Sequence, residues 1–179
     1  AYFRARAYAE LGHPDIALLF YDYAARLNPQ NVGYPVSAML ALVQSGKIED
    51  AVGRANRLIA NKNAHPHQMF VSAEVLYDSA GTMAKQEARS VFTRVIAVLQ
   101  TALEKESKSP NARYLPLVMA AYMMMAMCYD NLGQTKMAIQ TLDRLLKLDP
   151  DNTDALAMRG LLRYGTAPET AITDFEKAI

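Results

Sequence analysis

The sequence predicts an all-α fold, a solenoid of stacked antiparallel helical hairpins, and three observations carry that reading. Five of the eight glycines, Gly12, Gly46, Gly81, Gly133 and Gly165, follow one another at intervals of 34, 35, 52 and 32 residues. A period near 34 marks a helical-hairpin repeat. An amphipathic run follows each glycine and opens at Ala17, Ala51, Ala88, Ala138 or Ala171. Four and seven places further on stand Tyr21 and Ala24, Ala55 and Leu58, Phe92 and Val95, Leu142 and Leu145, and Phe175 and Ala178, so each trio shares one helical face. Two runs then close on Asn28-Pro29 and Asp149-Pro150, where proline cannot continue a helix and biases its predecessor out of it.

Each recurring residue has a physical reason. The turn glycine accepts a positive φ without penalty and lets one helix stop and the next begin within a few residues. Small side chains on the inner stripe let two helices approach closely, and a large side chain of the next copy fills the remaining space. One hairpin cannot bury its apolar face alone, so copies must stack. The pattern resembles the tetratricopeptide repeat, most clearly in Ala126, Tyr129 and Gly133 followed by Ala138, Leu142, Leu145 and Pro150. The resemblance covers essentially the whole chain. It implies a right-handed α-solenoid of antiparallel helical hairpins, with copies over approximately 1–31, 32–65, 66–110, 111–152 and 153–179.

The third and fourth copies depart from the frame. Two residues are added in the turn around Thr82 and Met83, and the next helix reads continuously from about Lys85 to Glu106. The following first helix starts near Asn111, or near Tyr114 to Pro116, and runs to Asn131. The 52-residue step is therefore read as two lengthened neighbours forming a long protruding hairpin; the alternative is a separate helix inserted between copies. Glu104 to Lys108 reads as a solvated helix end. Both ends of the chain read as cut from a longer array, which leaves Ile172, Phe175 and Ile179 on a last helix with nothing to cover it.

Composition narrows the function. The 179 residues carry 19 Lys plus Arg against 18 Asp plus Glu, and 51% are hydrophobic, which excludes a disordered or collagenous chain. Without a polybasic run there is no electrostatic footprint for nucleic acid. No apolar stretch reaches the roughly 18 residues a membrane helix needs. A lone cysteine, Cys128, supports neither an internal disulfide nor a thiolate metal site and reads as a small buried hydrophobe. His65 and His67 flank Pro66 without a third ligand at recognisable spacing, so they read as a loop and helix start. No nucleophile elbow, phosphate-binding glycine loop or paired-carboxylate motif is present; the sequence points to no enzyme, metal or cofactor.

What the resemblance adds is a surface. In this family the first helices of the hairpins line a concave face that receives peptides. The frame places Tyr2, Phe3, Arg6 and Glu10 there, then Val36, Ser37, Leu40 and Gln44, then Val71, Ser72, Val75 and Asp78. Met123, Met124, Met127, Asp130 and Asn131 follow, and Ala157, Met158, Leu161 and Tyr164 end the strip. Members that grip chaperone C-termini use Lys, Asn, Asn, Lys and Arg where this chain has Tyr2, Arg6, Ser37, Gln68 and Ser72, so a carboxylate clamp is not expected. The methionines form either an adaptable apolar groove or ordinary core. The implied role is a non-enzymatic scaffold of bacterial type that binds a protein or peptide on this Met-rich face, with Arg6, Asp78, Asp130 and Asn131 setting register. The alternative is self-assembly through the terminal helices, or docking within a larger protein.

Overall fold

A computed structural model describes residues 1–179 and contains ten α-helices, one short 3₁₀ turn and no strand. The helices are α1 (Tyr2–Glu10), α2 (Pro14–Leu27), α3 (Gly33–Gln44), α4 (Ile48–Ala60), α5 (Pro66–Ala80), α6 (Lys85–Lys108), α7 (Leu115–Asn131), α8 (Thr135–Leu148), α9 (Thr153–Tyr164) and α10 (Pro168–Lys177). Each packs on its predecessor in the chain, and the first helices α3, α5 and α7 also lie side by side. This is an all-α solenoid of five hairpins.

The turns explain the glycine period, with a distinction that spacing alone does not reveal. Gly12, Gly46 and Gly133 take φ of 77°, 73° and 75°. The amide after each donates to the carbonyl five residues back, His13 to Tyr8, Lys47 to Leu42 and Gln134 to Tyr129, at 2.8 to 2.9 Å. That bond satisfies a carbonyl the helix end would otherwise orphan. Gly81 and Gly165 have φ of −63° and −79°: each caps its helix directly, one place earlier than the left-handed glycines, which follow the caps Leu11, Ser45 and Leu132.

The alanine stripe is what brings the helices together: Ala17, Ala51, Ala138 and Ala171 are completely buried. The largest core unites 22 buried residues from α3 to α8. Charged bridges tie successive hairpins outside it. Arg54 of α4 makes a two-pronged contact with Asp22 of α2 at 2.6 and 2.7 Å. Arg159 of α9 reaches Asp143 of α8 at 2.6 Å, and its Nε donates to Asp174 of α10 at 3.0 Å.

The irregular region resolves into lengthened neighbours. α6 has 24 residues against 13 or 14 in α2, α4 and α8, and α7 has 17 against 12 in α3 and α9. Only the 3₁₀ turn Ala112–Tyr114 stands between them, which rules out the inserted helix. The overhang does not protrude freely. Lys105 Nζ donates to the carbonyls of Lys62 and Ala64 at 2.9 and 3.0 Å, and the Tyr114 ring stacks on His67 with centroids 5.7 Å apart. The overhang thus lies back on the α4 to α5 loop, whose carbonyls need donors. The segment expected to be a solvated helix end is accordingly split: Glu104 and Lys108 pair at the surface, while Glu106 is buried.

Candidate functional site

The first helices carry the residues assigned to the concave face, and the structure sorts them into surface and core. At the N-terminal end Tyr2 is half-buried, its ring 5.2 Å from that of Tyr34, and Arg6 is exposed but neutralised by Glu10 at 3.0 Å. Leu40 is exposed on α3.

On α5 the assignment needs correction. Val71 and Val75 are only 6% and 5% exposed and belong to the central core, and Ser72 is wholly buried. They face neighbouring helices because the apolar stripe of α5, buried on most sides, is too broad for periodicity to separate its groove edge from its core edge. The surface positions of α5 are Glu74 and Asp78. Gln68 is no ligand group either. Its Oε1 accepts the His65 amide at 3.0 Å and its Nε2 donates to the Val32 carbonyl at 3.3 Å, while His65 Nδ1 accepts the His67 amide. His65 and Gln68 therefore cap α5 as a capping box, with His67 in its first turn. Burial, then the neighbouring His65, pushes the His67 imidazole below its ordinary value.

The methionines divide in the same way. Met124 packs against the central core and Met123 and Met158 against the second, between α7, α8 and α9. Of the four, Met127, 36% exposed, is the one that stands out at the surface, with exposed Asp130 and Asn131 one turn on, while the other three are partly buried. Asn131 Nδ2 already donates to the Met127 carbonyl at 2.8 Å. Leu161 and Tyr164 stand out from α9, each 69% exposed.

Between α5 and α7 these surfaces meet in a cavity of about 120 Å³ lined by Phe70, Leu117, Ala120, Met124 and Glu74. Sequence reasoning missed Glu74, Leu117 and Ala120 here; a glutamate one turn before Asp78 in a largely apolar helix was the available signal. Desolvation, then the adjacent Asp78, raises the Glu74 carboxyl above the ordinary carboxylate range. Helices α3, α5 and α7 contain no lysine or arginine at all, and their acidic residues are Glu74, Asp78 and Asp130. This part of the face combines apolar side chains with carboxylates that no cation of the chain neutralises.

Cys128 is completely buried, and desolvation pushes its thiol up to about 12, which keeps it from acting as a nucleophile. No group of three or more His, Cys, Asp and Glu side chains is placed to hold a metal ion, and no helix is long and apolar enough to cross a membrane.

Residues 120–152 match the family model of the tetratricopeptide repeat, over α7 and α8. The chain also resembles several solved structures along nearly its whole length. MamA (residues 41 to the end) from Desulfovibrio magneticus RS-1 superposes with a TM-score of 0.71 at 19% identity, covering 97% of this chain and 88% of that one. YrrB, described as a TPR protein with an unusual peptide-binding site, gives 0.69 at 19%, covering 98% and 81%. A thermophilic TPR protein of Thermus thermophilus, TTC0263, gives 0.64 at 20%, covering 99% and 87%. No curated protein matches the sequence significantly.

Proposed function

We propose that this chain, an all-α solenoid with a tetratricopeptide repeat matched over residues 120–152, is a non-enzymatic scaffold whose first helices bind a protein segment combining apolar side chains with lysine or arginine. One observation carries the reading: the three adjacent first helices α3, α5 and α7 present apolar surface and three carboxylates without a single lysine or arginine. An apolar side chain of the partner enters between Glu74 and Met124 and excludes water from the small cavity there. A neighbouring cation settles on Asp78 or on Glu74, where it favours the ionised form against desolvation. Complementary charge of this kind fixes partner register and speeds encounter more than it deepens affinity. Met127 and Leu161 supply further apolar contact, Asp130 a further acceptor.

The working surface thus keeps Arg6, Leu40, Asp78, Met127, Asp130 and Leu161 and gains Glu74, whereas Val71 and Val75 support it from behind. Peptide binding by YrrB is in keeping with such a face on the same fold.

The test is affinity capture from lysate of the source cells, comparing the unmodified chain with a Glu74→Lys, Met127→Lys variant of equal helicity. Both altered residues lie at the surface, which spares the core that Met124 helps to fill. A basic partner retained by the first and lost by the second is expected, with retention falling as salt rises. Identical captures by both proteins would remove this surface from consideration.

Self-assembly is the second reading, favoured by apolar side chains exposed at both ends: Phe3, Leu11 and Leu19 at one, Ile172 and Ile179 at the other. Phe175 is not among them, since its ring lies where a Cβ on Gly160 would be, at 2.6 Å. Equilibrium sedimentation of an Ile172→Glu variant therefore tests that reading better than any change at Phe175.

A further inference from the structure

The lengthened junction between the third and fourth hairpins builds a pocket that a regular repeat would lack. The overhanging turns of α6, the 3₁₀ turn and the start of α7 enclose a cavity of about 280 Å³, completed by Leu148 at the end of α8. Leu103, Leu115, Val118, Tyr122 and Leu148 form its apolar wall, and Leu115 and Leu148 stand exposed at the rim.

One carboxylate, Glu106, also lines it. Glu106 is 8% exposed. Its Oε1 accepts the Asn111 amide at 2.6 Å, the one hydrogen bond the chain gives it. The two neighbouring lysines serve elsewhere, Lys105 on the α4 to α5 loop and Lys108 on Glu104 at 2.7 Å. No donor and no counter-ion of the chain reaches Oε2, so the carboxylate faces the pocket beside an apolar wall with its charge uncompensated by any cation of the chain.

The geometry points to a binding site for a long cationic side chain, lysine or arginine, presented by a partner protein. Its methylene stem lies along Leu103, Leu115, Val118 and Leu148, and its head meets Glu106 Oε2 with the Tyr122 ring alongside. Such side chains bury an apolar stem while keeping their charge at a polar end, and an aromatic ring adds attraction for the cation. A neutral side chain would fill the same wall and leave the carboxylate unpaired; an acidic one would be repelled by it. Two of the three helices involved, α6 and α8, are second helices, so this site stands independently of the first-helix surface.

The test is an amide NMR titration of the full chain with two blocked tripeptides, leucyl-lysyl-leucine and its norleucine counterpart. The lysine peptide is expected to shift the amides lining the cavity saturably and to bind about tenfold more tightly than the norleucine peptide. Glu106→Gln keeps an acceptor for the Asn111 amide but removes the charge; it is expected to reduce the lysine peptide to the norleucine level. Equal binding of the two peptides by the unmodified protein, or saturable shifts only outside the cavity, would overturn the proposal. The unmodified protein decides the matter even if the variant fails to fold.

Discussion

Gly133 and Gly165 both stand in turns between paired helices, the first just after the helix cap and the second as the cap itself, and they do different physical work. Gly133 holds φ at 75°, whereas Gly165 sits at −79°, and a Cβ at either would meet nothing within 4 Å. Only backbone conformation then separates them. Gly133→Ala is expected to cost about 1–2 kcal/mol from the left-handed strain, while Gly165→Ala is expected to gain about 0.4–1 kcal/mol by restricting the unfolded chain. Urea unfolding midpoints check both, and equal effects would refute the distinction. The same scale governs Cys128. Its thiol, pushed up to about 12 by burial, is expected to resist a disulfide reagent at pH 8 until denaturant opens the fold. Labelling as fast as that of a free thiol would show that α7 is not packed as described.

At the scale of elements, the cap of α5 and the charge cluster of the last hairpin make opposite uses of titratable groups. His67 is held below its ordinary value of 6.5, chiefly by burial. The unfolded chain therefore takes up the proton first as pH falls. Its contribution to stability is present above about pH 6.5 and is lost progressively from there down to the lowered folded value. Thermal melts are expected to fall between pH 7.5 and pH 5.5, and less steeply for His67→Phe, which keeps the ring against Tyr114 without a titrating group. In the last hairpin, Asp174 receives Arg159 and Arg163, with Nε and Nη1 contacts of 3.0 Å, and its side chain is 5% exposed. Asp174→Ala leaves two guanidinium groups short of a partner and is expected to cost ~3 kcal/mol. Asp143→Ala, at the more exposed end of the same network, is expected to cost about 1 kcal/mol or less. Calorimetric melts rank the two, and a larger loss for Asp143 would contradict the burial argument.

The whole molecule is a line of neighbours, in which stability is a sum over hairpins and the interfaces between them. The central core joins 22 buried residues, whereas the clusters at the N-terminal and C-terminal ends have 5 and 6. Hydrogen exchange is therefore expected to be slowest in α5 and α6 and fastest in α1 and α10. Uniform protection along the chain would mean that the array unfolds as one unit. The ligand surfaces fit this gradient: the carboxylate-bearing first helices and the Glu106 pocket both rest on the central core.

Periodicity was enough to determine the helices, their pairing into hairpins and the lengthening of the third and fourth, because turn glycines, buried alanines and closing prolines each act on their own neighbourhood in the chain. Tertiary structure alone decided which side chains of α5 and α7 face outward. Val71, Val75 and Met124 share a polarity pattern with true groove residues, and only the position of the next helix settles whether an apolar residue is wall or floor. Glu106 is the extreme instance. Within a charged stretch it reads as solvated, yet the fold of the overhang onto the α4 to α5 loop diverts Lys105, buries Glu106 beside Leu115 and Leu148, and leaves one carboxylate oxygen facing a pocket assembled from helix ends more than forty residues apart in the chain.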